Sequence, residues 1–245
     1  MAKKTKAATK RVLKMKNRSM IIDGVKVPIA GTSIVERIGR GPIMRSLGMR
    51  TEVRNCELIT TISTIALGVF NTNRDALGPF NKPWLSGVAS SFSKWRWIFC
   101  KYVYIPVCPT TTAGQVVLGL GYDFADNAPG SLQDAQAKFR SVTSPVWAGF
   151  DGSSDLNRYT KGRSPGSVSV EVDVNRLGGT PGDPWFRFAN SGNFAGYANT
   201  DKNIYCPGYL DVSTAGGGAT TTIVGNLFVE YIIELIEPIV AANNA

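Results

Sequence analysis

The sequence contains no histidine among its 245 residues. That absence removes Ser-His-Asp and Cys-His catalytic arrangements, histidine general bases and every histidine-ligated metal site. The four cysteines, Cys56, Cys100, Cys108 and Cys206, show no CxxC spacing. They read as buried or half-buried free thiols of a reducing compartment. No apolar run approaches a membrane span, and no apolar signal core follows the basic N-terminus. The chain therefore reads as cytosolic and soluble, without a membrane partner. Residues 1–18 hold neither an acid nor an aromatic, so base stacking has no platform in that segment.

What is present is a strong charge asymmetry. Residues 1–54 hold 14 Lys/Arg against 3 Asp/Glu, a net of +11, whereas residues 55–245 hold 13 against 15, a net of −2. The basic excess thus belongs to an extension on a nearly neutral body, a usual arrangement for polyanion binding. Lys3, Lys4, Lys6, Lys10, Arg11, Lys14, Lys16 and Arg18 form its densest part. Such a segment buries too little apolar surface to fold alone and is expected to be disordered. A solubilising tail or a nuclear-localisation patch has the same composition, but phosphate binding is preferred: neutralising many phosphates releases counterions and needs no fixed geometry, so binding with little sequence preference is expected. Residues 1–55 are read as arm and linker, and 56–245 as one folded domain.

Within the domain the central feature is Trp95–Val107, a turn over Pro109–Gly114, and Gln115–Tyr122, where Val116, Leu118 and Leu120 alternate. This predicts two strands around a turn. Glu57–Phe70 predicts a long strand, and Leu85–Lys94 a short amphipathic helix. Ser131 with Asp134 three residues on predicts an N-capped helix over 131–140. Further strands are expected at 142–150, 168–174, 204–212 and 226–236, the last ended by Pro238. NTNRDALGPFNKP reads as turn, and 178–203 as a long Gly/Pro/Asn-rich connection. About eight strands at these spacings indicate an all-β sandwich with short connecting helices.

Chemistry is sparse. No motif pairs a nucleophile with a base. Gly119 and Gly121 lie inside an apolar strand with no phosphate-cradling helix behind them, so they are a false phosphate-loop match. Asp123 and Asp126 stand at the exit of the second central strand. Two carboxylates on a loop are either turn formers or ligands for a hard cation such as calcium, which takes oxygen donors from different chain segments.

The run W…KYVYIPVCPTTTAGQVVLGLGYDFADNAP, with its strand, P-x-T-x-x-G turn, strand and D-x-x-D exit, resembles small icosahedral plant-virus coat proteins of the sobemovirus and tombusvirus-like group. The C-terminal NLFVEYIIELIEPIVAANNA, through LIEPI and its Asn-containing tail, is similar to the end of sobemovirus coat proteins. With nothing after residue 245 for a protruding domain, the sobemovirus-like plan is expected. The resemblance implies an eight-stranded jelly roll and a non-enzymatic capsid protein. It would self-assemble into an icosahedral shell of T=3 type around a single-stranded RNA genome, residing in the virion and, during assembly, the host cytoplasm. It also implies a calcium site, with Asp123 and Asp126 from one subunit and Asn243 and Asn244 from its neighbour. The alternatives weighed are a non-viral cytosolic jelly-roll module with a nucleic-acid-binding tail and a β-sandwich enzyme. The missing histidine and catalytic constellation argue against the enzyme.

Trp95 and Trp97 share one strand parity, Tyr102 and Tyr104 the other. An uninterrupted strand points these pairs to opposite faces. Either a bulge switches the alternation, or one pair lies at a subunit contact or the inner surface. The subunit contact is expected for the tyrosines, since aromatics are enriched in interface cores.

Overall fold

A computed structural model describes residues 21–22, 25–26, 41–147, 167–174 and 185–240. Strand-forming runs of β-branched and aromatic residues build two antiparallel sheets that face each other. One contains β3 (Ile43–Leu47), β4 (Arg50–Thr64), β6 (Phe92–Pro106), β9 (Val168–Glu171), β10 (Phe186–Arg187) and β12 (Thr222–Pro238). Its path runs β10-β6-β12-β4-β3, with β9 also paired to β6. The other holds β5 (Asn71–Ala76), β7 (Gln115–Gly121), β8 (Phe139–Pro145) and β11 (Tyr209–Ala215) in the order β5-β11-β7-β8. A separate two-stranded ladder joins β1 (Ile21–Ile22) to β2 (Val25–Lys26). Setting aside β3, β10 and that ladder, eight strands form two four-stranded layers, a jelly roll. Among the described residues, four short helices sit in the connections: α1 (Leu85–Ala89), α2 (Leu132–Ala137), α3 (Ser191–Gly196) and α4 (Asn199–Tyr205). As the sequence predicts, Ser131 caps α2, its side chain accepting from the Asp134 N–H.

The core lies between the layers, with Val116, Leu118 and Leu120 of β7 facing Leu227, Val229, Tyr231, Ile233 and Leu235 of β12 from the opposite sheet. All four central aromatics belong to it: Trp95, Trp97, Tyr102 and Tyr104 are buried. The expectation of a subunit contact for the tyrosines is therefore corrected. Trp97 pairs with Ile233 and Phe99 with Ile232, so Ile98 is an extra residue on β6. This bulge switches the side-chain parity, and positions 95, 97, 100, 102 and 104 all point inward. The Tyr104 hydroxyl donates to the Val224 carbonyl at 2.9 Å, and the Trp97 indole N–H donates to the Leu77 carbonyl at 2.7 Å. Both polar tips are thereby satisfied inside the protein.

Several boundaries differ from expectation. β4 starts at Arg50 and ends at Thr64, and β3 precedes it, so residues 43–55 lie in the sheet rather than in a linker. β8 begins at Phe139, and the strand expected at 204–212 lies at Tyr209–Ala215, after α4. The stretch Asn71–Ala76, expected as turn, is the edge strand β5 paired to β11. Its polarity has structural causes. Asp75 points inward to the fully buried Lys82, whose Nζ lies 2.6 Å from its carboxylate. Arg74, the preceding residue, points outward to Asp211. The glycines of β7 leave room for neighbours: a Cβ at Gly121 meets the Tyr209 ring at 2.3 Å, and one at Gly119 meets the Lys138 Cβ at 2.8 Å.

Candidate functional site

The loop after β7 carries both acidic residues that the sequence singles out, and both are exposed. Asp123 closes a tight turn, its carbonyl accepting from the Asp126 N–H at 3.2 Å. The Asp123 Oδ1 accepts from the Ala125 N–H at 2.9 Å and from the Asn203 side-chain amide at 2.8 Å. Asn203 completes the exchange by accepting from the Phe124 N–H at 3.1 Å. The Ala125 N–H, and then the Asn203 amide, hold the Asp123 carboxyl below the ordinary carboxylate range. It is anionic throughout the physiological range, as a hard-cation ligand must be.

What fixes this loop was not visible in the sequence. Asp211 of β11 is buried on the outward face of the four-stranded sheet and receives Arg74 through two bonds, 2.9 and 3.2 Å long. Lys138 approaches the same carboxylate at 4.0 Å. Both cations reach on into the loop: Arg74 donates to the Asp126 carbonyl at 2.8 Å, and Lys138 to the Asn127 carbonyl at 3.3 Å. The Arg74 guanidinium also lies 3.5 Å from the Tyr209 ring centroid. The paired Arg–carboxylate geometry gives the loop a rigid footing. Arg74, Lys138, Asn203 and Asp211 are thus site-positioning residues that sequence reasoning missed. The one signal available was charge inside strand-like segments.

The donor chemistry of Asp123 and Asp126 suits calcium: two exposed hard-oxygen carboxylates and no soft ligand. Among the described residues no three of His, Cys, Asp and Glu come together as a metal-holding group. A cation here needs oxygen donors from elsewhere. Asn243 and Asn244 lie outside the described residues, as do the arm residues Lys3, Lys4, Lys6, Lys10, Arg11, Lys14, Lys16 and Arg18.

The remaining reactive groups are quiet. All four cysteines are free thiols. Burial pushes Cys56 up to about 11 and Cys100 to about 12, far from the thiolate form a nucleophile requires. No helix among the described residues is long and apolar enough to cross a membrane.

A profile of the family described as Viral coat protein (S domain) matches residues 24–241. The chain belongs to that family. It is 37% identical over 224 residues to the capsid protein of Tobacco necrosis virus (strain D), covering 91% of this chain and 81% of that one. The capsid protein of Tobacco necrosis virus (strain A) is also 37% identical, over 198 residues, covering 81% and 70%. A solved Tobacco necrosis virus structure superposes with a TM-score of 0.74 at 35% identity, covering 84% of this chain and 90% of that one. The Cocksfoot mottle virus structure shares the fold, with a TM-score of 0.65 at 20% identity over 78% and 96% of the two chains. The family expected from the sequence stands, as does the jelly roll. The relatives are structural capsid proteins rather than enzymes.

Proposed function

We propose that this coat protein assembles into an icosahedral shell of T=3 type around single-stranded RNA, in the host cytoplasm, with its basic arm neutralising the RNA inside. The observation that carries the reading is the junction of two parts. The coat-family match covers residues 24–241, and residues 1–18 before it hold eight Lys/Arg and no acid. Many weak phosphate contacts from a polycation suit a genome of any sequence.

A surface suited to self-association supports the shell. Ile65, Leu67, Val69, Val107 and Ile223 are exposed aliphatics at the end where β4 and β6 leave the sheet and β12 enters it. The Leu67 N–H bonds to the Gly218 carbonyl and the Val107 N–H to that of Val224, so these loops are held together. Apolar groups gathered in this way mark an interaction surface. A second copy of the chain is the occupant that a coat protein supplies.

Asp123 and Asp126 are the residues that would hold calcium between subunits, with Asn243 and Asn244 of the adjoining copy as neutral oxygen donors. Bound there, calcium would offset the mutual repulsion of the carboxylates. Without it, like charges face each other at the contact until they protonate. Negative stain of the purified chain, with RNA content measured before and after deletion of residues 1–18, tests the first part. Round particles that lose most of their RNA on deletion are expected; wild-type RNA in the deletion variant refutes the arm reading. For the cation, chelation near neutral pH is expected to swell the particle, and Asp123→Asn with Asp126→Asn to make it indifferent to chelator. Particles with no bound calcium and no chelator-induced change in sedimentation refute it.

A further inference from the structure

The outward face of the six-stranded sheet carries a cationic end with an aromatic in it. Alternation and register place Arg187, Lys94, Ile236 and Arg50 in one row across β10, β6, β12 and β4. Three of those four side chains are cationic. Trp185 immediately precedes β10 and is half-buried. The Arg96 guanidinium lies 4.5 Å from its ring centroid and that of Arg50 5.9 Å. Arg96 is pinned by Glu234, its Nε donating at 2.6 Å. Arg50 instead keeps about half its side chain in solvent (53%), with Glu234 no nearer than 4.0 Å.

The chain enters this sheet from the arm through β3, the strand beside β4 at that edge. The arm is therefore joined to the domain at the sheet edge next to the strand that carries Arg50. Lys94 is paired to Glu237 at 2.7 Å, as Arg96 is to Glu234, which leaves Arg50 and Arg187 as the cations nearest the ring outside a close ion pair. A planar indole with guanidinium groups beside it has the chemistry of a single-strand binder. Every base offers a π-face, and flanking arginines take phosphates. A duplex, with its bases already stacked, has nothing to offer the ring.

We infer that Trp185, framed by Arg50 and Arg96, is a stacking site for an unpaired nucleobase of RNA, with Arg50 and Arg187 serving the adjoining phosphates. This rests on the RNA-packaging reading above and adds to it a contact on the folded domain, where the arm lacks any aromatic. The site reads no sequence.

The test is ultraviolet crosslinking of RNA-filled particles of the full chain, with the modified peptides mapped by mass spectrometry. Adducts are expected on the peptide bearing Trp185 as well as on the arm. Adducts on the arm alone overturn the inference and leave the packaging reading intact; adducts nowhere in the chain overturn both. In parallel, dissociated full-length subunits are titrated with a 12-nucleotide oligouridylate. Trp185→Ala is expected to weaken binding roughly ten-fold, in the range of one lost base stack. Arg50→Gln, at an exposed position that does not hold the fold, is expected to weaken it several-fold. It also lowers the salt slope by about 0.7. Oligouridylate binding unchanged in Arg50→Gln and in every folded Trp185 variant overturns the inference. If shell yield then falls, the ring belongs to a subunit contact.

Discussion

Deleting Ile98 is the sharpest test of how this sandwich is built. Ile98 is the bulge residue of β6, partly exposed, and makes little core contact of its own. Truncating it to alanine is therefore expected to cost at most about 0.5 kcal/mol, as for other surface changes. Deleting it leaves strict alternation along β6 in which 95, 97, 100, 102 and 104 still share one face, with Trp97 kept on Ile233 and Phe99 on Ile232. If the two groups part instead and the tyrosine side keeps its register, both indoles turn outward. Trp95 then leaves its packing on Trp97 and Phe186, at centroid distances of 5.3 and 5.2 Å. The bonds to the Arg187 carbonyl at 3.2 Å and the Leu77 carbonyl at 2.7 Å are lost as well. Each buried aromatic contributes roughly 1.5–3 kcal/mol, and each buried carbonyl left unpaired costs about 1–3 kcal/mol. The combined loss is comparable with the whole stability of a domain, about 5–15 kcal/mol. Urea unfolding of dissociated subunits, followed by tryptophan fluorescence, reads the difference. The alanine variant should retain the wild-type midpoint, and the deletion should stay folded within about 2 kcal/mol of it, because the residue removed is the extra one. Insoluble or unfolded deletion protein refutes the parity argument.

Three further outcomes are expected. Lys82→Met leaves Asp75 without its buried partner and should cost roughly 3–5 kcal/mol by thermal unfolding; a loss below 1 kcal/mol would show that Asn81 and Tyr102, which also bond Asp75, suffice. Asn203→Ala should raise the Asp123 midpoint in an NMR pH titration, because it removes an amide donor to the charged form. The folded-state pKa of Asp123 is depressed, so its contribution to stability is present above the ordinary carboxylate range and is lost as pH falls through the depressed value. An unchanged midpoint would assign the whole depression to the Ala125 N–H. Leu67→Asp, at a side chain 82% exposed, should leave subunit unfolding within about 0.5 kcal/mol of wild type and abolish particles in sedimentation; particles at normal yield would remove that end of the sandwich from the contact.

The parts of the fold legible in the sequence are those whose burial is periodic and local. Val168, Val170, Val172 and the β7 leucines alternate because one face meets the core, and they read as strands at sight. β5 did not, because Asn71–Ala76 lacks an apolar face altogether. It is held as an edge strand by charges whose partners lie elsewhere: Arg74 bonds Asp211, 137 residues away. Polar residues score against a strand on propensity, yet here the sheet ladder and two ion pairs outweigh it. The N-terminal boundary was missed for a similar reason. Arg45, Arg50 and Arg54 resemble arm residues by composition, while β-pairing places them on the sheet's outward face.

The same distinction separates the two halves of the acidic site. Asp123 and Asp126 announce themselves by position, at the exit of an alternating strand. The residues that aim them do not, since Asn203 is 80 residues away in sequence and Asp211 is further still. Asp211 looks out of place in an apolar strand until its neighbours are known. A buried carboxylate is costly unless it is paired, so a lone acid inside a strand already implies a cation on the same sheet face. β5 is the neighbouring strand, and its Arg74 stands directly opposite in the register. Arg74 and Asp75, side by side in the chain, then serve opposite faces, one footing the loop outside and the other holding Lys82 inside. An edge strand that seemed too polar to exist is what ties the acidic loop to the core.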